Sequence, residues 1–242
     1  MIKLPVIQGL IRRRILVNFR VTPEIIQRQL PSKFQPKLHA GAAIAGICLI
    51  RLEQIRPKGL PAFIGHSSEN AAHRIAVLWE DGQGATREGV FIPRRDTSSR
   101  LNHVAGGRLF PGEHHHADFT VTDGGGQIDL KMQAKDDALR VDVRGRMTEQ
   151  LPAGSKFTDL AAASGFFEPG SVGFSVTGDT RRLDGLKLKT KNWSIAPLAV
   201  EHVFSSWFAN EENFPKGSVE FDCALIMRDI EHEWQSEPDL YV

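Results

Sequence analysis

The sequence predicts a mostly β protein (α+β), in which an antiparallel sheet dominates and the helices are few and short. Three observations carry that reading. Apolar residues alternate with polar ones through much of the chain, and Gly, Pro, Asp and Asn turns separate the alternating segments. No helical stretch of crossover length recurs between strands, as a parallel βαβ sheet would require. At 242 residues the chain is long enough for one large core. Residues 1–242 are therefore read as one domain, closed or nearly closed.

Near the start, Ile11–Phe19 reads as a strand with arginines at its head. Thr22 offers a hydroxyl N-cap, with Pro23 at the first helical position and Glu24 in the first turn. Ile25, Ile26 and Leu30 give that short helix an apolar face, and Pro31 stops it. Ala43–Leu52 is a nearly continuous apolar strand broken by Gly46. Ala72–Trp79 leads through the turn at Asp81–Gly84 to Gly89–Ile92, and His115–Val121 leads to the glycine run 124–126. Gln127–Ala134 and Leu139–Met147 alternate; in the latter, Leu139, Val141, Val143 and Met147 are expected to face in and Arg140, Asp142, Arg144 and Arg146 out. Thr158 is read as the cap of a second helix over Asp159–Phe167, ended by Pro169 and Gly170. Strands Gly173–Thr177, Leu186–Trp193, Leu198–Phe208 and Ser218–Arg228 complete about ten strands and two helices.

Composition excludes several functions. The formal charge is +1, with acids and bases interspersed, which argues against a nucleic-acid partner. No window of about 18 apolar residues occurs, so no membrane span is expected. Pro5 and Gln8 interrupt the apolar stretch that a signal peptide needs. Cys48 and Cys223 each lie in an apolar run, which fits buried thiols in a reducing compartment and makes the cytoplasm the expected location.

The densest concentration of chemistry is Gly89–Phe119, with Arg94, Arg95, Arg100 and Arg108, Arg87 just before it, and four histidines. Its middle keeps no apolar period, as expected of a pocket wall rather than a connector. A planar guanidinium matches a carboxylate or phosphate bidentately, and Ser98 could complete the shell. Arg94, Arg95, Ser98, Arg100 and Arg108 are therefore candidate ligands for a small anionic molecule; the alternative is that these arginines pair with Asp96, Glu69 or Glu88 and organise loops. In Ser68–Arg74, the carboxylate of Glu69 and the imidazole of His73 could serve acid–base work. Alternation puts His73 on one strand face and Arg74 on the other, so whichever face turns inward takes an ionisable side chain with it, and Glu69 is the nearest acid. His114 and His116 project from one strand face and could chelate a metal if His73 or His103 supplied a third ligand. No metal and no cofactor are assigned.

The motifs IRRRILVNFRV, GICLIRL, SENAAHRIAV, IPRRDTSSRLN, AGGRLFPGEHHHADF, GSVGFS and FDCALIMRDIEHEW span nearly the whole chain. Their order resembles that of DUF2071, a family of uncharacterised bacterial proteins related to acetoacetate decarboxylase. The resemblance implies an acetoacetate decarboxylase-like, cone-shaped antiparallel β-barrel with a central cavity. It also leaves room for a homo-oligomer, since the related decarboxylases assemble into large ones. In those decarboxylases a Pro-Lys-Lys stretch supplies a Schiff-base lysine. Here Gly107-Arg108-Leu109-Phe110-Pro111 is followed by Gly112-Glu113-His114, and the lysine is missing. The other lysines lie on solvated strand faces or in Pro/Gly loops, whereas a Schiff-base lysine must be kept neutral by burial or a second cation.

The leading expectation is thus a barrel holding a small carboxylate-type molecule, with Glu69, His73 and His114 available for lyase, hydratase or isomerase chemistry without a lysine. A non-catalytic binding or sensing protein is the alternative, and a metal-dependent hydrolase built on His114 and His116 a third.

Overall fold

The computed structural model describes residues 5–105 and 112–242. In chain order the elements are β1 (Ile7–Val21), α1 (Pro23–Gln27), β2 (Gln35–Pro36), β3 (Leu38–His39), β4 (Ala42–Pro57), a 3-10 turn (Ala62–Ile64), β5 (His66–Glu80), β6 (Thr86–Thr97), α2 (Arg100–Ala105), β7 (His114–Gly124), β8 (Gln127–Ala134), β9 (Arg140–Met147), α3 (Leu160–Phe167), β10 (Val172–Val176), β11 (Arg182–Thr190), β12 (Ala196–Ser205) and β13 (Val219–Tyr241). The protein is mostly β, as the alternation predicts, and Gln127–Ala134 is a strand at the expected boundaries.

The sheet does not close as one clean barrel. It branches at β6 and β13 and closes twice. A narrow circuit runs β13-β1-β4-β5-β6-β10-β11, with β11 pairing back onto β13. A wide circuit runs β13-β1-β4-β5-β6-β7-β8-β9-β12, closed by β12 on β13. Most neighbours are antiparallel, but β6 meets both β7 and β10 in parallel over three residue pairs each. Strands β13, β1, β4, β5 and β6 form a wall common to both circuits, so the central stretches of β1, β4 and β5 are buried on both faces.

This explains why β1 and β4 read as continuous apolar runs. On β1, Ile15, Val17 and Phe19 enter the largest core cluster with Ile47, Leu49, Ile128, Leu130 and Val141 in the wide circuit. Leu16, one step out of phase, joins Cys48, Ala72, Cys223 and Leu225 inside the narrow circuit, where Phe166 and Phe167 of α3 also pack. Each fully buried Ile or Leu removes enough apolar surface from water to contribute about 1.5–3 kcal/mol. Gly46 lies where β4 crosses closest to β1: a Cβ there would overlap the Val17 carbonyl oxygen.

Several local expectations need correction. Asp159, not Thr158, caps α3, its carboxylate accepting from the Ala162 amide at 2.7 Å. Thr22 precedes α1 without a side-chain cap bond, and the helix stops at Gln27. On β9 Met147 is 39% exposed while Asp142 is 6% exposed, because the strand's last turn has passed the core and Asp142 lies beside His202 and Arg140. β13 runs to Tyr241, thirteen residues beyond the expected end at Arg228, since β1 and β11 pair with it from both sides. Among the described residues, no helix is long and apolar enough to cross a membrane.

Candidate functional site

A row of residues in mutual register crosses five strands: Leu16 of β1, Cys48 of β4, Ala72 of β5, Arg95 of β6 and His114 of β7. Where this row meets the inside of the narrow circuit, a cavity of about 50 Å³ opens. Its wall includes Arg95, His114, Cys48, Asn70, Asn102 and Trp234. The space accommodates about three or four waters, or a molecule of a few heavy atoms.

Arg95 is the cation of this cavity. Its Nε donates to Ser175 Oγ at 2.9 Å, and among the described residues the guanidinium has no ion pair. Burial holds its pKa down at about 10, against weaker opposing effects of Cys48 and Asp184. An interior guanidinium without a carboxylate is costly unless something else satisfies it. His114 is its neighbour in register. The His114 Nδ1 donates to the Gly112 carbonyl at 3.1 Å, which leaves the basic lone pair of the neutral ring on Nε2. Burial, reinforced by the Arg95 charge, lowers its pKa to about 3, so the ring is neutral at pH 7. Asp96, whose carboxylate pairs with Arg94, and two amides add to the polar lining. Asn70 Nδ2 is fixed by Ser68 Oγ at 2.9 Å, and among the described residues the buried Asn102 Oδ1 has no hydrogen bond.

The other sequence candidates lie elsewhere. Arg94, adjacent to Arg95, projects from the opposite face of β6, where it pairs with Asp96 at 2.9 Å and Asp136 at 3.0 Å. Ser98 is exposed, its Oγ accepting from the Glu69 amide at 3.0 Å and tying the end of β6 to β5. Arg100 is exposed on α2. Arg108 lies outside the described residues. Four arginines converging on one ligand is therefore not the arrangement: consecutive strand residues cannot share a face.

Glu69 and His73 face the wide circuit. Glu69 is bound by Arg13 at 2.7 Å, not by Arg74, although burial still raises its carboxyl above the usual range. His73 is fully buried, with Nε2 at 3.1 Å from Ser205 Oγ and the rings of Trp207 and Phe208 against it. Burial, with a smaller contribution from Arg94, lowers its pKa to about 3. Of the metal-ligand nominees, the His103 ring lies 6.0 Å from that of His116, while His73 is in the wide circuit; His115, which was not among them, pairs with Asp136. Among the described residues no three His, Cys, Asp or Glu side chains gather to hold a metal. Among the described residues no lysine lines the cavity. Cys48, Asn102 and Trp234 were missed from sequence because β4, α2 and β13 bring them together only in the closed sheet.

The branched sheet and its interior cavity define the acetoacetate decarboxylase-like fold. An acetoacetate decarboxylase-like enzyme from Sphingomonas wittichii RW1 superposes with a TM-score of 0.62 at 12% identity, covering 100% of this chain and 94% of that one. The acetoacetate decarboxylase of Legionella pneumophila gives 0.60 at 11% identity, covering 98% and 88%. The enduracididine biosynthesis enzyme MppR, complexed with a condensation product of pyruvate and imidazole 4-carboxaldehyde, gives 0.63 at 13% identity, covering 100% and 90%; the same enzyme is also known complexed with pyruvate. No curated protein matches by sequence. By sequence the chain belongs to DUF2071, described as an uncharacterized conserved protein, which matches residues 10–213.

Proposed function

We propose that the narrow circuit binds a small carboxylic acid of the oxo-acid type, with Arg95 receiving the carboxylate and His114 as the proton-transfer group. The observation that carries this is Arg95 itself: a part-buried guanidinium that, among the described residues, has one hydrogen bond and no ion pair, facing a cavity beside a neutral imidazole. A carboxylate would supply the missing counter-charge and two acceptors at once. Asn102 Oδ1 is placed to accept from a hydroxyl or enol of the ligand. Binding of pyruvate by MppR, on a similar fold, is in keeping with this ligand class. His114 Nε2 suits proton abstraction or return next to the bound carbonyl, chemistry of the lyase, hydratase or isomerase kind that needs no Schiff base. Glu69 and His73 have no part in this reading. The free, buried thiols of Cys48 and Cys223 suit a reducing cytoplasm.

The test is calorimetric titration of the full chain with pyruvate, repeated on Arg95→Met and His114→Gln. Arg95→Met should weaken binding by about tenfold or more. His114→Gln should leave pyruvate bound, and exchange of its methyl protons with D2O, followed by NMR, should stop. Unchanged affinity in Arg95→Met overturns the assignment; exchange absent from the unaltered protein while binding persists reduces the protein to a binding or sensing role.

A further inference from the structure

Two further arginines border a second opening in the narrow circuit. Arg14 of β1 and Arg74 of β5 both line a small cleft of about 30 Å³ on the α3 side of the narrow circuit, walled by Leu16, Ala76, Phe166 and Phe167. It shares no lining residue with the Arg95 cavity. Arg74 is 4% exposed. One of its terminal nitrogens donates to Asn18 Oδ1, its guanidinium stacks 5.0 Å from the Phe167 ring, and its buried Nε has no hydrogen bond among the described residues. Among the described residues, the Arg14 side chain has one hydrogen-bond contact, from Nε to Cys48 Sγ at 3.1 Å. Neither forms an ion pair among the described residues, and each repels the other. The third cation at the cleft, Lys37, is already matched by Glu88 at 2.6 Å and the Phe166 carbonyl at 3.2 Å.

We infer that this cleft is a separate anion site that takes a single small carboxylate. The Arg14 charge disfavours the positive charge of the buried Arg74 guanidinium, so the two repel across the cleft. A bound anion removes that repulsion and gives the idle Arg74 Nε an acceptor. The lining argues for carboxylate over phosphate. Apart from the cations it is carbon and glycine, with no Ser or Thr hydroxyl to complete a phosphate shell. The volume holds about two waters, the size of one carboxylate group. An aliphatic tail would meet the apolar wall.

The experiment uses the full chain carrying Arg95→Met, so that the cavity of the proposed function is silenced and the two ideas fail separately. Titration with acetate is followed by calorimetry and by the thermal midpoint, with chloride at matched ionic strength as reference. One acetate should bind, and the midpoint should rise with its concentration. Adding Arg74→Met should weaken binding about tenfold or more. If that variant fails to fold, Arg14→Met serves, since Arg14 is only partly buried. No acetate binding in the Arg95→Met protein, or equal binding after Arg74→Met or Arg14→Met, overturns the site. Inorganic phosphate binding in preference to acetate overturns the carboxylate assignment.

Discussion

Acidification should destabilise the fold through His73, and the size of the effect follows from its surroundings. The ring is fully buried among Trp207, Phe208 and Ser205, with Arg94 close enough to oppose a positive charge, and its pKa falls from 6.5 to about 3. In the unfolded chain the same ring titrates near 6.5. Between those values the unfolded state binds a proton that the folded state refuses, so stability falls as pH drops through the window from 6.5 toward 3. At pH 5 the unfolded ring is almost fully protonated and the folded ring almost fully neutral. The penalty relative to pH 7 is then about 2 kcal/mol, and it stays near that value for any folded pKa well below 5. Urea unfolding at pH 7 and pH 5 measures it, on the unaltered protein and on His73→Gln, which cannot titrate. The variant should lose about 2 kcal/mol less between the two pH values, a difference of roughly 1 M in urea midpoint at an m-value near 2 kcal/mol/M. His114 and His232 are present in both proteins and cancel. An identical pH dependence in the variant would mean that His73 is protonated, or hydrated, in the folded state, and the reasoning from burial would fail.

Arg13, 3% exposed, holds Glu69 at 2.7 Å and Asp123 at 3.3 Å, so Arg13→Met should cost about 3 kcal/mol by leaving Glu69 without its cation; chemical denaturation reads this directly. Gly46→Ala forces a Cβ onto the Val17 carbonyl in the common wall and should cost about 1–3 kcal/mol, seen as a lowered thermal midpoint. Asp159→Ala removes the cap of α3 and should lower the thermal midpoint, while Asp159→Asn should lower it much less. That pair of variants separates the hydrogen bond from the charge.

Period-two alternation made most of the fold legible. It placed β8 to the residue and identified the centres of β1, β4, β5 and β9. It also held an answer that was not drawn from it: Arg94 and Arg95 are consecutive on a strand, so only one could face a cavity. The question of whether His73 or Arg74 turns inward rested on the premise that a strand has one inside. In β5 both faces are inside, His73 entering the wide-circuit core and Arg74 the cleft beside α3. Nothing local announces a branched sheet, because branching depends on β6 and β13 changing partners partway along their lengths. For the same reason Asn102, Trp234 and Cys48 carried no sequence signal; they are distant in the chain and become neighbours through closure. The polar run Glu231, His232, Glu233 and Gln235 carries no strand signal of its own, yet β13 continues through it, with Lys58 pairing with Glu233 and Lys191 with Glu231.

The common wall has a consequence for how this chain can change over time. In an ordinary sheet a one-residue slip trades core for solvent and the strand is lost. In β5 the same slip would trade one interior for the other, carrying His73 and Glu69 toward the cavity and Asn70, Ala72 and Arg74 into the packed core. Single-residue insertions or deletions in β1, β4 or β5 are thus barred twice over, by the two linings at once. Length variation among relatives should collect in the connections, such as the turns at Asp81–Gly84 and Gly124–Gly126. The five wall strands should keep their residue count even where their residues differ.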